Sequence, residues 1–396
     1  MQTREQFETL RSESGRELIA RIVAERAAGS SDLHIGTRLR REVPGELVAA
    51  AMTLVEVRER AATKFSRAGD MWLTRAGFEQ ASSESISRYR SRRFAGFDRV
   101  ADLCCGIGGD LIGLAGVAPV LAVDRDPLHL ACASANAEVY GVADRVSTLE
   151  ADVTEIDLDG IDAVFIDPAR RGDTGRFAHH TEPPMPWVYG LVDRVPNVAV
   201  KAAPGIDHDS VPPGWEIEFI AEGRALKEAT LWSPGMATAD RRATLLPEGI
   251  SFVAIPGDPV AIAPPGGYLI DPNPAITRAG LVQDLARSID AWQIDPEIAF
   301  LSSDEPVDTP WGRTLRVIAS LRWRIKDVAA ALREHDIGAV DIRRRGLAGD
   351  VEAIRKQLKL SGKGRATVAM TRHRDQPWCV IGIDTLARSQ VNSGSA

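Results

Sequence analysis

Between residues 98 and 256 the chain alternates short β-rich runs with helix-forming stretches, and no other feature narrows its fold as much. The runs are "RVADLCC", "APVLAVD", "RVSTLEAD", "DAVFIDP", "NVAVKAAP", "WEIEFIAEG" and "EATLWSP". Strands spaced by helices build βαβ units and a mainly parallel sheet. The last two runs have no helix between them, so an antiparallel hairpin is expected there, at the sheet's edge. The expected class is α/β, with a Rossmann-like seven-stranded core over residues 96–260.

The flanks read differently. Residues 1–95 carry apolar positions three and four apart in "REQFETLRSESGRELIARIVAERA" and "PGELVAAAMTLVEVRERAATKF", so a helical N-terminal region is expected. After the proline-rich joint "AIPGDPVAIAPPGGYLIDPNP", residues 264–386 mix helices ("RIKDVAAALREHD", "DVEAIRKQLKL") with strands ("RTLRVIASLRW", "RATVAMTR", "WCVIGID"), which suits a small α+β domain. The tail, 387–396, reads as disordered.

Several function classes are disfavoured at this level. The chain has no run of about 18 uninterrupted apolar residues, so no membrane span is expected. It starts "MQTREQFETL", without the apolar segment of a secretory leader. Its four cysteines, Cys104, Cys105, Cys132 and Cys379, lack the paired spacing of a zinc site. A cytoplasmic protein with reduced thiols and no metal is expected. The net charge of −7 argues against nucleic acid contact over the whole surface. Residues 311–374, however, hold 16 Lys/Arg against 6 Asp/Glu. A basic region on an acidic body suits a localised polyanion contact. A solvated charged face is the alternative.

The first run of the alternating region leads into "GIGG" and then a helix. Open parallel sheets bind ligands at such strand ends. Gly106 and Gly108 let the backbone turn tightly and approach a ligand, with Asp102 just before the turn. Asp124 ends the second strand, where a carboxylate can accept from both hydroxyls of a ribose. Asp152 follows the third strand, placed to accept from the exocyclic amine of adenine. A dinucleotide would want GxGxxG and a helix N-terminus free for its pyrophosphate. Asp110 stands near that helix start and should repel phosphate. An adenosine ligand without phosphate, such as S-adenosylmethionine, fits better. Asp102 as a loop cap, and Cys104 and Cys105 as packed small residues, are the structural alternatives.

Residues 100–170 resemble a class I S-adenosylmethionine-dependent methyltransferase. "DLCCGIGGD" with "VDRDPLHLACASANAEVYGVADRV" is similar to the trimethylguanosine synthase group of RNA methyltransferases. "KFSRAGDMWLTRAGFEQASSESISRYRSRRF" resembles the segment that precedes the core in that group and closes over the cofactor. The resemblance implies that Asp102, Gly106 and Gly108 hold the methionine end of S-adenosylmethionine, Asp124 the ribose and Asp152 the adenine amine. Their neighbours Cys104, Arg125 and Val153 are counted with the cofactor-binding set. Cys104 stands where glycine is common in the wider superfamily.

Amino-directed nucleobase methyltransferases end the fourth strand in (D/N/S)PP and an aromatic. This chain has Asp167-Pro168-Ala169-Arg170. Asp167 and Pro168 match, and Arg170 could stack on a base or grip a phosphate. These three are the catalytic candidates. Trp187 could replace the missing stacking platform, or be a lid or core residue. C5-pyrimidine chemistry would need a cysteine nucleophile, and no cysteine is suitably placed. His179-His180 reads as a loop pair. The C-terminal stretch "RRRGLAGDVEAIRKQLKLSGKGRATVAMTR" faintly resembles the THUMP-like domains of RNA methyltransferases. Arg343, Arg344, Arg345, Lys359, Lys363 and Arg365 could hold RNA phosphates. The expected function is S-adenosylmethionine-dependent methylation of RNA at a base nitrogen. A small-molecule or protein methyltransferase, or a non-catalytic RNA-binding or cofactor-sensing module, remains open.

Overall fold

The computed structural model describes residues 3–170 and 181–385. The chain divides into two compact units. One comprises Met1–Ile220, Glu228–Asp240 and Leu246–Gly249; the other comprises Ala221–Lys227, Arg241–Leu245 and Ile250–Ala396.

The first unit begins with α1 (Arg4–Arg11), α2 (Glu13–Ala27), α3 (Asp32–Leu39), α4 (Gly45–Ala61), α5 (Arg75–Gln80) and α6 (Glu84–Ser91). Thr3, Ser12, Ser31 and Thr74 cap the starts of four of them, each side-chain oxygen accepting from a first-turn backbone N–H. The alternating region follows as β1 (Val100–Leu103), α7 (Leu111–Ala115), β2 (Val120–Asp124), α8 (Pro127–Tyr140), β3 (Val146–Glu150), β4 (Ala163–Ile166), β5 (Ala169–Arg170), β6 (Thr181–Glu182), α9 (Met185–Gly190), β7 (Asn197–Ala202), β8 (Glu216–Glu222) and β9 (Ala225–Trp232); β10 (Arg241–Leu246) and β11 (Ile250–Val253), which come next in the chain, fall almost wholly in the second unit.

The main sheet runs β11-β10-β8-β9-β7-β4-β1-β2-β3. Pairings of β1 with β2 and β4, of β2 with β3, and of β4 with β7 are parallel, while β9 lies antiparallel on β7. The seven expected strands are all present, in the order β3-β2-β1-β4-β7-β9-β8. The β8–β9 hairpin is not the edge, because β10 and β11 continue the sheet to nine strands. Strand order departs in opposite directions from β1 and β4, which opens a crevice at their carboxyl ends.

The N-terminal helices are packed on this core. Phe7, Leu10, Ile22, Leu39 and Leu54 share one apolar cluster with Ile107, Ile112, Leu128 and Cys132 of the alternating region. Asn136 on α8 is the polar link within that cluster's surroundings. It is fully buried, accepts from the Trp72 backbone N–H at 2.7 Å, and donates to the carbonyls of Trp72 (3.0 Å) and Ile107 (2.8 Å). The "NAEVYGV" stretch thereby ties the segment around residue 72 to the glycine loop.

The second unit contains β12 (Tyr268–Pro272), α10 (Pro274–Ala279), α11 (Val282–Ser288), β13 (Trp292–Gln293), β14 (Leu301–Ser303), β15 (Gly312–Arg322), α12 (Ile325–Glu334), β16 (Ile337–Arg344), α13 (Val351–Leu358), β17 (Gly364–His373) and β18 (Gln376–Asp384). Its sheet runs β13-β14-β12-β15-β18-β17-β16. Val328 and Leu332 of α12 and Leu358 of α13 cluster with Ile342, Val368, Met370 and Ile381 of the strands.

Candidate active site

The crevice between β1 and β4 collects most of the acids singled out from sequence. Leaving β1, the backbone passes through left-handed conformations at Cys104 (φ 61°), Gly106 (φ 53°) and Gly108 (φ 83°). A side chain at Gly108 would also stand 3.1 Å from the Cα of Ala133 on α8, so this glycine answers to both conformation and space. No atom lies within 4 Å of a Cβ built on Gly106, so the loop is open at that point.

Glycine's usual place at position 104 now has a physical reason. Cys104 adopts a conformation that disfavours residues with a Cβ by about 1–2 kcal/mol. We expect Cys104→Gly to leave the melting temperature level or higher, whereas Cys104→Val, β-branched, should lose about 1–2 kcal/mol. Thermal melts of the two variants check this. Burial pushes the thiols of Cys104 and Cys105 well up, and those of Cys132 and Cys379 to about 12. None is poised as a nucleophile.

Asp124 has two structural partners. Its carboxylate accepts from the Gly106 N–H (2.8 Å) and the Asp126 N–H (2.9 Å), holding the glycine loop against the start of α8. A carboxylate offers about four acceptor sites, so capacity for two hydroxyls is left. Asp152 is exposed and takes the N–H and the hydroxyl of Thr154 on one oxygen (2.8 and 2.6 Å), bonds that hold its carboxyl below the usual range. Val153 beside it is buried. The Arg125 guanidinium is 58% exposed and forms a two-pronged pair with Glu182 (2.8 and 3.1 Å).

Asp110 does not stand as a lone charge at the α7 start: it is buried and paired, in a cluster of two carboxylates and one guanidinium. Fully buried Arg90 donates to it at 2.7 Å and also pairs with Glu228, while the Ser82 hydroxyl bridges Asp110 (3.1 Å) and Glu228 (3.2 Å). The Arg90 guanidinium lies 4.6 Å from the Phe165 ring centroid on β4.

Asp102 is different. It is 1% exposed, and neither carboxylate oxygen has a hydrogen-bond partner among the described residues. Burial first, then the nearby carboxylates of Asp110, Asp167 and Asp124, raise its pKa well above the ordinary value.

The fourth strand delivers Asp167 and Pro168. The Asp167 N–H donates to the Leu103 carbonyl (3.3 Å), fixing it beside the β1 exit. Its Oδ2 accepts from Lys201 Nζ on β7 at 2.7 Å. Burial raises the Asp167 carboxyl, with the Lys201 ammonium opposing. Lys201 was not anticipated; its one sequence signal is a lone cation inside the apolar run "VAVKAA". After Pro168, Ala169 and Arg170 pair antiparallel with Glu182 and Thr181. The Arg170 side chain and His179-His180 lie outside the described residues. Trp187 is half-buried on α9.

The basic candidates of the second unit do not form one cluster. β16 and β17 are parallel, with Arg365 opposite Ala339 and Arg343 opposite Ala369. Arg365 therefore lies about 13 Å along the strands from Arg343, and Lys363, just before β17, lies farther still, about 20 Å. Lys359 is exposed at the end of α13. Arg343 pairs with Asp341 at 3.0 Å, and Arg344 donates to the Gly349 carbonyl. Arg345 is turned to Asp271 (2.9 Å) and lies over the Phe300 ring, so it serves its own unit. Among the described residues no group of three His, Cys, Asp or Glu could hold a metal, and no helix is long and apolar enough to cross a membrane.

Comparison with known proteins decides the family. Over 318 residues, 76% of this chain and 85% of the relative, the sequence is 37% identical to an uncharacterized S-adenosylmethionine-dependent methyltransferase of Mycobacterium tuberculosis, found alike in strains CDC 1551 and H37Rv. The chain belongs to the S-adenosylmethionine-dependent methyltransferases. The family of RNA cap guanine-N2 methyltransferases matches residues 97–183 of this methyltransferase, a THUMP domain-like family matches 312–382, and a domain of unknown function matches 3–61. The THUMP-like match spans β15 to β18. The fold is also that of a candidate methyltransferase from Porphyromonas gingivalis W83, whose crystal structure superposes with a TM-score of 0.76 at 22% identity, covering 93% of this chain and 98% of that one.

The crevice fits S-adenosylmethionine, the cofactor of this family. That molecule carries an ammonium and a sulfonium, and the crevice holds a buried carboxylate on Asp102 with no partner among the described residues. Such a group calls for a cationic partner. The open backbone at Gly106 leaves room beside it.

Proposed function

We propose that this methyltransferase acts on RNA, at a nitrogen of a base. Asp102, Gly106 and Gly108 would hold the methionine end of the cofactor, Asp124 the ribose and Asp152 the adenine amine, with Val153 against the ring. The cofactor supplies a methyl group on a sulfonium, so no strong acid is needed and alignment dominates. The observation that carries the reading is Asp167, anchored between the Leu103 carbonyl and Lys201 at the end of β4. A carboxylate so placed can accept an N–H of a target amine, and the Pro168 carbonyl can accept the second. The matches to an RNA methyltransferase family and a THUMP-like family support RNA as the substrate. Lys359, Lys363, Arg365, Arg343 and Arg344 are exposed cations of the second unit suited to phosphates. The likeness to a cap enzyme does not carry the cap itself, because Ala169 and Arg170 replace its proline and aromatic.

The experiment is transfer of tritiated methyl from S-adenosylmethionine into total RNA and, separately, total protein of the source cell. Label in RNA that survives protease supports the reading; label only in protein removes it. Asp124→Ala is expected to weaken S-adenosylmethionine binding at least about 100-fold, because it removes both the ribose acceptor and the anchor of the glycine loop. Calorimetric titration of the ligand-free protein checks this, and an unchanged affinity would sink the cofactor assignment of Asp124.

A further inference from the structure

Lys201 stands beside Asp167 at the carboxyl end of β4 and has no counterpart among the sequence-predicted site residues. It is 8% exposed, on a strand whose other side chains after Asn197 are apolar. Its ammonium donates to Asp167 Oδ2 at 2.7 Å and to the Gln80 carbonyl at 2.9 Å. An ammonium has three N–H donors, and among the described residues nothing accepts the third. Asp167 Oδ1 also has no partner among the described residues, and the Asp167 side chain is 30% exposed. Neighbouring parallel strands β4 and β7 thus set an open acceptor beside an open donor, at the end of the sheet where the glycine loop lies.

We propose that Asp167 and Lys201 read the target base as a pair, Asp167 accepting from an exocyclic amine and Lys201 donating to a bare ring nitrogen next to it. This rests on the base-nitrogen reading above and narrows it. Two bases present that pattern on their pairing edge: adenine, with the N6 amine beside N1, and cytosine, with the N4 amine beside N3. Guanine presents the N2 amine beside a protonated N1, so its pairing edge would set an N–H against the ammonium. A donor buried against a donor is strongly disfavoured, so the pair selects against guanine offered by its pairing edge; guanine's other bare nitrogen beside N2, N3, lies on the sugar edge against the ribose. The substrate class is an RNA adenine or cytosine: the S–CH3 bond of S-adenosylmethionine breaks as the N6–CH3 or N4–CH3 bond forms, S-adenosylhomocysteine leaves, and the displaced amine proton passes to solvent by way of the Asp167 carboxylate that accepts it. Gln80 completes the arrangement: its carbonyl fixes the ammonium from the segment that leads into α6.

The test uses the full chain and labelled S-adenosylmethionine. Total RNA from cells lacking this gene is methylated, digested and read by nucleoside mass spectrometry. The expected product is N6-methyladenosine or N4-methylcytidine; N2-methylguanosine overturns the proposal while leaving the base-nitrogen reading intact. A methyl on no base nitrogen defeats that reading and this proposal together. Transcripts of the accepting RNA are then made with 1-deazaadenosine or 3-deazacytidine, which replace the ring nitrogen by C–H. Wild type should lose about 10–100-fold in kcat/KM on the deaza transcript. Lys201→Met should start lower on the natural transcript and lose less than about threefold on the deaza one. Melting temperature and S-adenosylmethionine affinity of Lys201→Met report whether it folds. Equal deaza penalties in both proteins overturn the proposal. If the variant does not fold, a wild-type penalty under about threefold does so alone.

Discussion

Arg90→Met is expected to destabilise this methyltransferase by about 3–5 kcal/mol, a fall in melting temperature on the order of 10 °C for a unit of this size. The reason is the company Arg90 keeps. Its side chain is 2% exposed, and so nearly are those of Asp110 (9%) and Glu228 (5%), which it holds on either side. Removing the cation leaves two carboxylates buried with only the Ser82 hydroxyl between them. A methionine fills the volume and keeps contact with Phe165, so the loss reports charge rather than packing. Adding Asp110→Asn and Glu228→Gln to Arg90→Met should restore much of the stability. Thermal melts of the single and triple variants measure this; a single variant that melts with wild type would show the network to be dispensable.

Asp102→Asn is expected to pull fold and function apart. The ligand-free variant should melt higher than wild type, and its S-adenosylmethionine affinity should fall about 10–100-fold with the loss of a charge-assisted contact. The pH dependence follows from the direction of the shift. Burial and the three neighbouring acids hold the folded-state pKa above that of the unfolded chain, so folding takes up a proton. The penalty on the folded state is absent below the unfolded value near pH 4 and grows as pH rises through the folded value. Asparagine has nothing to titrate, so its advantage over aspartate should widen with pH over that window. Melting curves of both proteins from pH 4.5 to 8 read the gap directly. A constant gap would mean that Asp102 does not titrate there. Saturating S-adenosylmethionine should reverse the order, since it binds, and so stabilises, the aspartate protein more strongly.

Much of this was legible in residue order. Alternation placed β1, β2, β3, β4 and β7, and the missing helix before "EATLWSP" placed the β8–β9 hairpin. The acids Asp102, Asp124 and Asp167 followed from that alternation, because residues within one position of a strand's end sit at the sheet's carboxyl edge. What was not legible is pairing across distance. Asp110 read as a lone charge near the helix start because Arg90, twenty residues earlier on α6, gives no local sign that it turns inward. Lys201 read as a strand residue because its partner comes from β4. Strand β16 was hidden: "IGAVDIRR" ends in arginines that attracted a phosphate reading, yet its apolar positions Val340 and Ile342 enter the core of the second unit. Arg345 illustrates the same limit, since charge counting does not distinguish a cation facing water from one facing Asp271.

The shared apolar cluster of the N-terminal helices and the glycine-loop region bears on how such proteins can diversify. Ile107, one residue past Gly106, is buried in the same mass as Phe7 and Leu54, and Asn136 stitches Trp72 to its carbonyl. Exchanging those helices for others would recut the seam that shapes the glycine loop. A change on the helices' inner face therefore reaches the loop, whereas one on their solvent face leaves that packing as it is.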